Sequence, residues 1–511
     1  TASSATGVSP PSSPSLPPPP LLPQTGSTPS TTAEWEAFRE QGKRMVDEIA
    51  DYYAALAAGE YPVKARVSPG YLRPLLPAAA PAAGESLDAI LADVHAKIMP
   101  GITHWQAPGF FAFFPANSSP PALLGDMLSD AINCIGFSWV ASPACTELET
   151  IVLDWLVPLI GLPATFASAG TGGGVIQSSA SDATLVALLA ARARAAAAAA
   201  ASGTTPPRYV VYASEHAHSS VRKAASVMGL GDDAFRAIPA PGPTYAMDVA
   251  ALETAMAADA ASGAQPIAVV ATLGTTSSGA FDPLRGVTAA ASRHGAWVHV
   301  DAAWAGAAGM CEEHRAWLDG VEGAHSYAFN PHKWLRVNFD CSAMFVRERR
   351  WLAAALSLTP AYLRSPEYDS GLVTDYRDWQ VPLGRRFRAL KLWFTLRMYG
   401  AAALRAHIRA HVALAGAFAA WVRNDPAFEV VAPPSLALVC FRLRASNAAN
   451  DALLAAVNAS GTTFLVSTVL DGRTVLRLAV GGSLTREEHV AAAWEAIQVA
   501  ARTVLATYPS T

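Results

Sequence analysis

From residue 209 to residue 346 the chain repeats one arrangement, a short apolar run followed by a stretch with helical spacing. The candidate strands cover residues 209–212, 267–273, 297–301 and 342–346, and none of them alternates apolar with polar residues. A strand that is apolar on both sides must be covered on both faces. Helical stretches near 219–228 and 248–261 separate the first two strands. Strand, helix, strand at this spacing predicts an α/β fold with a mostly parallel central sheet and flanking helices. The Ala run 195–201 extends a helix beginning near Ala183, because Ala has the highest helix propensity.

The flanks read differently. Residues 1–32 contain no charged residue and are rich in Pro, Ser and Thr, so a disordered tail is expected there. A helical N-terminal segment covers 33–119: Trp35, Phe38, Met45, Ile49, Tyr52, Tyr53 and Leu56 recur at helical spacing. An extended proline-rich connection follows, and then a helix over 86–98 with Ser86 as its N-cap. The exposed apolar face of such an arm suits a partner subunit. The large domain spans 120–390. A smaller α+β domain spans 391–511, with a long helix, strands near 437–443 and 475–480, and a closing helix.

Composition narrows the function classes. Lys and Arg total 37 against 41 Asp and Glu, a formal charge of −4 with no basic block, which argues against nucleic acid as a partner. Arg192 and Arg194 interrupt the best candidate for a bilayer span, so no membrane segment is expected. The five cysteines form no CxxC pair and read as reduced thiols in a reducing compartment, with the cytoplasm as the expected location.

Three stretches carry chemistry. In Asn330-Pro331-His332-Lys333-Trp334 a lysine sits inside apolar sequence. A desolvated lysine loses its proton more readily and can form a Schiff base with an aldehyde; the alternative is a structural lysine paired with a carboxylate. His299-Val300-Asp301-Ala302-Ala303-Trp304 places Asp301 at the end of a buried strand, where ligands collect in open α/β sheets. There it can pair with a cationic ring nitrogen, or simply cap the next helix. The serines of 178–184 open a strong helix and form a better anion site than the Gly170–Gly174 run, whose glycines suit a tight turn. Thr275 and Thr276 could add hydroxyls. His216 and His218 both follow the strand ending at Tyr212, and on chemistry alone either could stack on a planar cofactor. No third ligand accompanies them at metal-site spacing, so no metal is expected.

With these residues in place, the chain resembles the aromatic L-amino acid decarboxylases, pyridoxal-phosphate enzymes of group II. The likeness runs from about residue 34 to 505 through HWQAPGFFAFFP, GFSWVASPACTELE, TGGGVIQSSASDATLVALLAAR, ATLGTTSSGAFDP, HVDAAWAG, NPHKWLRVNFDCSAMFV and DYRDWQVPLGRRFRALKLWF. The resemblance implies fold type I and a homodimer with shared active sites. It makes Lys333 the covalent anchor of pyridoxal 5'-phosphate, Asp301 the partner of its ring nitrogen, and His218, not His216, the stacking histidine. Ser179, Ala180, Thr276, Asn330, His332 and Ala303 match positions around the cofactor and its phosphate. Trp105, Phe113, Pro115, Ile135 and Phe137 match the aromatic-substrate pocket, with Ile135 and Phe137 reaching in from the partner chain. Tyr362, in a polar loop, matches the tyrosine that protonates the substrate carbon once carbon dioxide has left.

The expected reaction is decarboxylation of aromatic L-amino acids to amines. Relatives with Phe at the loop position tend to be aldehyde synthases, the alternative reading on the same scaffold. Gly384 matches a position where plant members tend to carry Gly for indolic and Ser for phenolic substrates. Tryptophan is therefore the favoured substrate, with activity on dopa, tyrosine or phenylalanine alongside. Trp304 stands where the family usually has Tyr, and Ala116 where it has a hydroxyl residue. A silent binding paralogue would need Lys333, Asp301 or Tyr362 broken, and all three are present. Transamination fits neither the loop tyrosine nor the aromatic pocket.

Overall fold

The computed structural model describes residues 31–204, 208–358 and 360–508, so most of the expected N-terminal tail lies outside the described residues. The chain divides into two units, residues 1–54 and 55–511. The helix Thr31–Ala57, most of which belongs to the first, leaves Trp35, Phe38, Met45, Val46 and Ile49 exposed.

The second unit is built on a seven-stranded sheet: β1 (Gly173–Gln177), β2 (Tyr209–Ser214), β3 (Phe235–Ile238), β4 (Gln265–Thr272), β5 (Trp297–Asp301), β6 (Ser326–Phe329) and β7 (Ser342–Val346). Their order is β1-β7-β6-β5-β4-β2-β3, and β7 alone runs against the others. The mostly parallel sheet expected from the apolar runs is thus what forms. Both faces are covered. Val210, Tyr212, Val269, Val298 and Val300 join one core, together with residues of the helices Pro143–Leu159, Val249–Ala261 and Leu284–Arg293. Val211, Ala213, Ala268, Val270 and Trp297 join the other, beneath the helices Ala180–Ala201 and Ser220–Val227. Successive strand residues point to opposite faces, so unbroken apolar runs are the sequence consequence of two buried faces.

The helix Ala180–Ala201 is long and apolar enough to cross a bilayer by length and composition, Arg192 and Arg194 notwithstanding. Here half of its apolar window is buried within the fold, which is how a core helix looks. Arg192 donates to the Met228 carbonyl and Arg194 to that of Gly295, so both charges reach the helix surface at no cost to the core.

A four-stranded antiparallel sheet, order β10-β11-β9-β8, forms the C-terminal part from β8 (Phe428–Val430), β9 (Leu438–Leu443), β10 (Val466–Leu470) and β11 (Arg473–Ala479). Its apolar residues belong to the first core, so the two sheets share one interior.

Several local expectations are corrected. The glycine run 170–174 divides: Gly170 lies in a turn, as expected, whereas Gly173 and Gly174 belong to β1, where a Cβ at Gly174 would press on Leu153 and Phe345 at 3.0 Å. The long helix Arg388–Asn424 is broken at Gly400, whose φ of 69° a side chain would resist. The helix capped by Ser86, whose hydroxyl accepts from the Ala89 amide, keeps α geometry only over Leu87–Asp93 and widens to a π turn over Val94–Ile98.

Candidate active site

The parallel strands end at one edge of the sheet, and the residues just beyond those ends meet there. Ser179, Ala180 and Ser181 follow β1, His218 follows β2, Gly274 and Thr276 follow β4, Asp301, Ala303 and Trp304 end or follow β5, and Asn330 and Lys333 follow β6. With Thr272 and Phe114 they enclose a cavity of about 200 Å³. This is the carboxyl edge at which open α/β sheets bind ligands.

Lys333 stands on a single helical turn, Pro331–Trp334, that starts where β6 stops. Its neighbours anchor it on both sides. Trp334 is buried, donates from Nε1 to His411 Nδ1 at 3.0 Å and stacks on Trp304 at 5.2 Å. His332 accepts the Cys341 amide at Nδ1, 2.9 Å away, and burial pushes its pKa down to about 3. Asn330 holds the turn from below, donating its amide to the Ala303 carbonyl and accepting from the Ser342 hydroxyl at 2.7 Å. Lys333 itself is enclosed by protein, with its remaining surface open to the cavity. Burial lowers its pKa, Asp301 opposes that shift and Arg477 adds to it.

Asp301 is buried and accepts the Ala303 amide at 3.0 Å, so it caps the next turn and faces the cavity at once. The two readings of this residue are compatible. Behind it on the same strand face, His299 shares a 2.8 Å bond with Ser326 Oγ, and burial drives its pKa down to about 4.

His218 lines the cavity and His216 does not; His216 packs edge-on to Tyr245 instead. The Ser220 amide donates to His218 Nδ1 at 3.2 Å, which leaves the proton of the neutral ring on Nε2. Burial lowers the His218 pKa, Asp301 opposes the shift, and Lys333 reinforces it. The result is a neutral, flat ring beside the lysine.

Ser179 caps the helix Ala180–Ala201, accepting from the Asp182 amide at 3.1 Å and donating to the Asp182 carboxylate at 3.0 Å. The helix N-terminus thereby faces the cavity, a favourable place for a phosphate. Thr276 lines the same wall, whereas Thr275 turns inward to Ser278 and to the Ala280 amide. Thr272 carries no signal in the sequence; it lines the cavity, and its buried hydroxyl has no partner among the described residues. Together with the desolvated lysine and the helix N-terminus, this donor set fits pyridoxal phosphate.

The expected substrate residues do not all reach this cavity. Trp105 stacks on Phe113 at 5.5 Å in an open aromatic patch joined to the cavity wall through Phe114, and Pro115 packs against Gly481. Ile135 and Gly384 line a separate depression of about 260 Å³, and Phe137 does not line the Lys333 cavity either. Tyr362, in the short turn Ala361–Leu363, is 79% exposed and lies outside the cavity lining.

The pyridoxal-dependent decarboxylase conserved domain matches residues 69–444. An aromatic-L-amino-acid decarboxylase of Bos taurus is 52% identical over 476 residues, 92% of this chain and 96% of the relative. A phenylacetaldehyde synthase of Arabidopsis thaliana is 48% identical, covering 91% of this chain and 95% of its own. Among solved structures, Oryza sativa TDC with PLP and tryptamine superposes with a TM-score of 0.89 at 43% identity, over 94% of this chain and 99% of that one. The chain belongs to the pyridoxal-dependent decarboxylase family, in its aromatic amino acid group, and is a carboxy-lyase with pyridoxal phosphate as cofactor.

Proposed function

We propose that the protein decarboxylates aromatic L-amino acids to the corresponding amines, with tryptophan preferred, as a homodimer with shared active sites. The observation that carries the reading is the convergence of Lys333, Asp301 and His218 on one cavity at the carboxyl edge of the sheet. Pyridoxal phosphate, when bound, supplies the electron sink for the pair left on the substrate carbon. Lys333 would hold the cofactor, and burial, which lowers its pKa, favours the neutral amine that such a bond requires. Asp301, on the cavity wall, would pair with the ring nitrogen, and His218, on the same cavity, would supply a flat neutral surface for the ring. Ser179, Ala180 and Thr276 receive the phosphate at the helix N-terminus, while Asn330, His332 and Ala303 fix the lysine turn and the Asp301 turn.

Trp105, Phe113 and Pro115 hold the substrate ring from this chain. Ile135 and Phe137 complete the pocket of the other subunit. Gly384 shares a depression with Ile135, so it is assigned to the same partner-facing set. Exposed Leu124, Met127, Leu128 and Ile132, on the helix Pro120–Ile132 that leads to Ile135, support the dimer, because an apolar face of this extent favours coverage. Tyr362 delivers the proton to the substrate carbon once its loop covers the site and excludes water. The cytoplasm is the proposed compartment.

An aerobic assay with L-tryptophan, L-dopa, L-tyrosine and L-phenylalanine, measuring amine, aldehyde and peroxide together, tests this. Amine without peroxide, highest for tryptophan, is the expected result. Aldehyde with equimolar peroxide would replace the reading by an aldehyde synthase.

A further inference from the structure

The edge of the central sheet opposite the Lys333 cavity carries a second cavity, of about 450 Å³, and the two share no residue. It lies where β5 and β6 begin and β7 ends: Ala296, His325 and Arg347 flank those strand termini and line its wall. The helix Ala180–Ala201 contributes Arg194 from one face of the sheet, and the helix Leu284–Arg293 contributes Arg285 and Ser292 from the other. Three guanidinium groups thus meet on a wall that has no carboxylate.

The three arginines are not equivalent. Arg285 is neutralised by Asp319 at 2.5 Å and Glu322 at 3.2 Å, neither of which lines the cavity. Arg194 and Arg347 pair with no carboxylate among the described residues and rest on backbone carbonyls instead. Arg194 donates to Gly295 at 2.8 Å and lies 5.2 Å over the Trp297 ring; Arg347 donates to Glu322 at 2.8 Å. Glu348, whose charge reaches Arg194, is itself paired with Arg350 at 2.6 Å. Each guanidinium has five N–H donors, so most remain for a ligand. Both side chains are half-buried, which makes an uncompensated charge costlier than on an open surface.

His325 registers both charges. It stacks on Trp297 at 5.0 Å, and its Nδ1 accepts the Val298 amide at 3.0 Å, which leaves the proton of the neutral ring on Nε2. Burial, Arg194 and Arg347 together hold its pKa down to about 3, so the two cations act on one part of the wall.

We propose that this cavity binds the phosphate group of a small phosphorylated molecule. Two uncompensated guanidinium groups, with the Ser292 hydroxyl and the His325 N–H on the same wall, form a donor set suited to phosphate oxygens. The volume suits a whole small molecule rather than the bare ion, since ligand sites commonly span about 300–1,000 Å³. The sheet separates this site from its carboxyl edge, so its occupant does not compete with the amino acid or with the cofactor phosphate.

The test uses holoenzyme reduced with borohydride, which keeps the cofactor in place. Adenosine monophosphate, glucose 6-phosphate and inorganic phosphate are titrated by calorimetry at about 0.1 M salt. At least one ester should saturate with a Kd of about 1 mM or tighter, and more tightly than inorganic phosphate. Arg194→Gln and Arg347→Gln should each weaken it about tenfold or more by removing charge-assisted hydrogen bonds, and Arg347→Lys by less. Ser292 is exposed, so Ser292→Glu should melt as wild type does while its carboxylate repels the phosphate and abolishes binding. No saturation by either ester up to about 10 mM would overturn the proposal. So would inorganic phosphate binding as tightly as both esters, or an unchanged affinity in Ser292→Glu.

Discussion

Gly384 is the position at which substrate choice can be tested with least disturbance to the fold. A glycine is often retained because its backbone is left-handed or because a neighbour blocks any side chain. Neither holds here: Gly384 has no left-handed φ, and a Cβ built on it meets only Ile135 Cγ2, at 3.8 Å, an ordinary contact. The missing side chain is therefore free space next to a proposed pocket residue. Gly384→Ser should cost less than about 0.5 kcal/mol of stability, as surface substitutions without strain do. In the pocket the added hydroxymethyl group takes room that an indole needs and a phenol does not. Steric discrimination of this size is worth about 1–3 kcal/mol, so the ratio of kcat/KM for tryptophan to that for tyrosine should fall by about 5- to 150-fold. The assay is amine formation from the two substrates in competition, alongside a melting curve. A ratio unchanged within about twofold in a variant with unaltered melting would refute the spatial argument.

Further expectations bear on the loop, on pH and on assembly. Tyr362→Phe should leave folding untouched, because the side chain is 79% exposed, while amine formation falls by about 10²- to 10⁴-fold and aldehyde with peroxide takes its place; product analysis under air checks it, and amine formed at the wild-type rate would remove Tyr362 from the mechanism. His299 has its folded pKa depressed to about 4 by burial, so its contribution to stability is full above about pH 6.5 and is lost as pH falls toward 4, about 3 kcal/mol in all. Asp282, raised to about 6 by burial, acts in the opposite sense, its contribution being full below about pH 4 and lost as pH rises through 6. Melting curves from pH 4 to 8 should therefore fall on the acid side for wild type and flatten in His299→Gln; identical curves would contradict this. Leu128→Glu on the exposed apolar helix should convert a dimer to a monomer without catalysis, read by light scattering, whereas an intact active dimer would contradict the proposed interface.

The sheet was legible where physics leaves a pattern. β2, β4, β5 and β7 are buried on both faces, and their short, mostly apolar runs stand out, His299 and Asp301 being the polar exceptions in β5. β1 was hidden by Gly173 and Gly174, residues that weaken strand signals yet are needed for close packing here. β3 and β6, four residues each, are too short to show a period. In the site, Lys333 and Asp301 announce themselves by unusual neighbours. Thr272 and Phe114 do not, since a lone threonine or a phenylalanine among apolar residues carries no signal. Arg477 is invisible in sequence for a different reason. Its isolation from any carboxylate among the described residues, and its place over Phe114, arise only when β11 folds against the segment that carries Phe113 and Phe114.

The central claim is that Lys333 is the residue that carries the cofactor. Reducing the holoenzyme with borohydride, digesting it and locating the pyridoxyl mass by peptide sequencing measures this directly. The account predicts one modified lysine, Lys333, with neither visible cofactor absorbance nor carbon dioxide release in Lys333→Ala. A pyridoxyl group on any other lysine, or undiminished carbon dioxide release from Lys333→Ala, would contradict it.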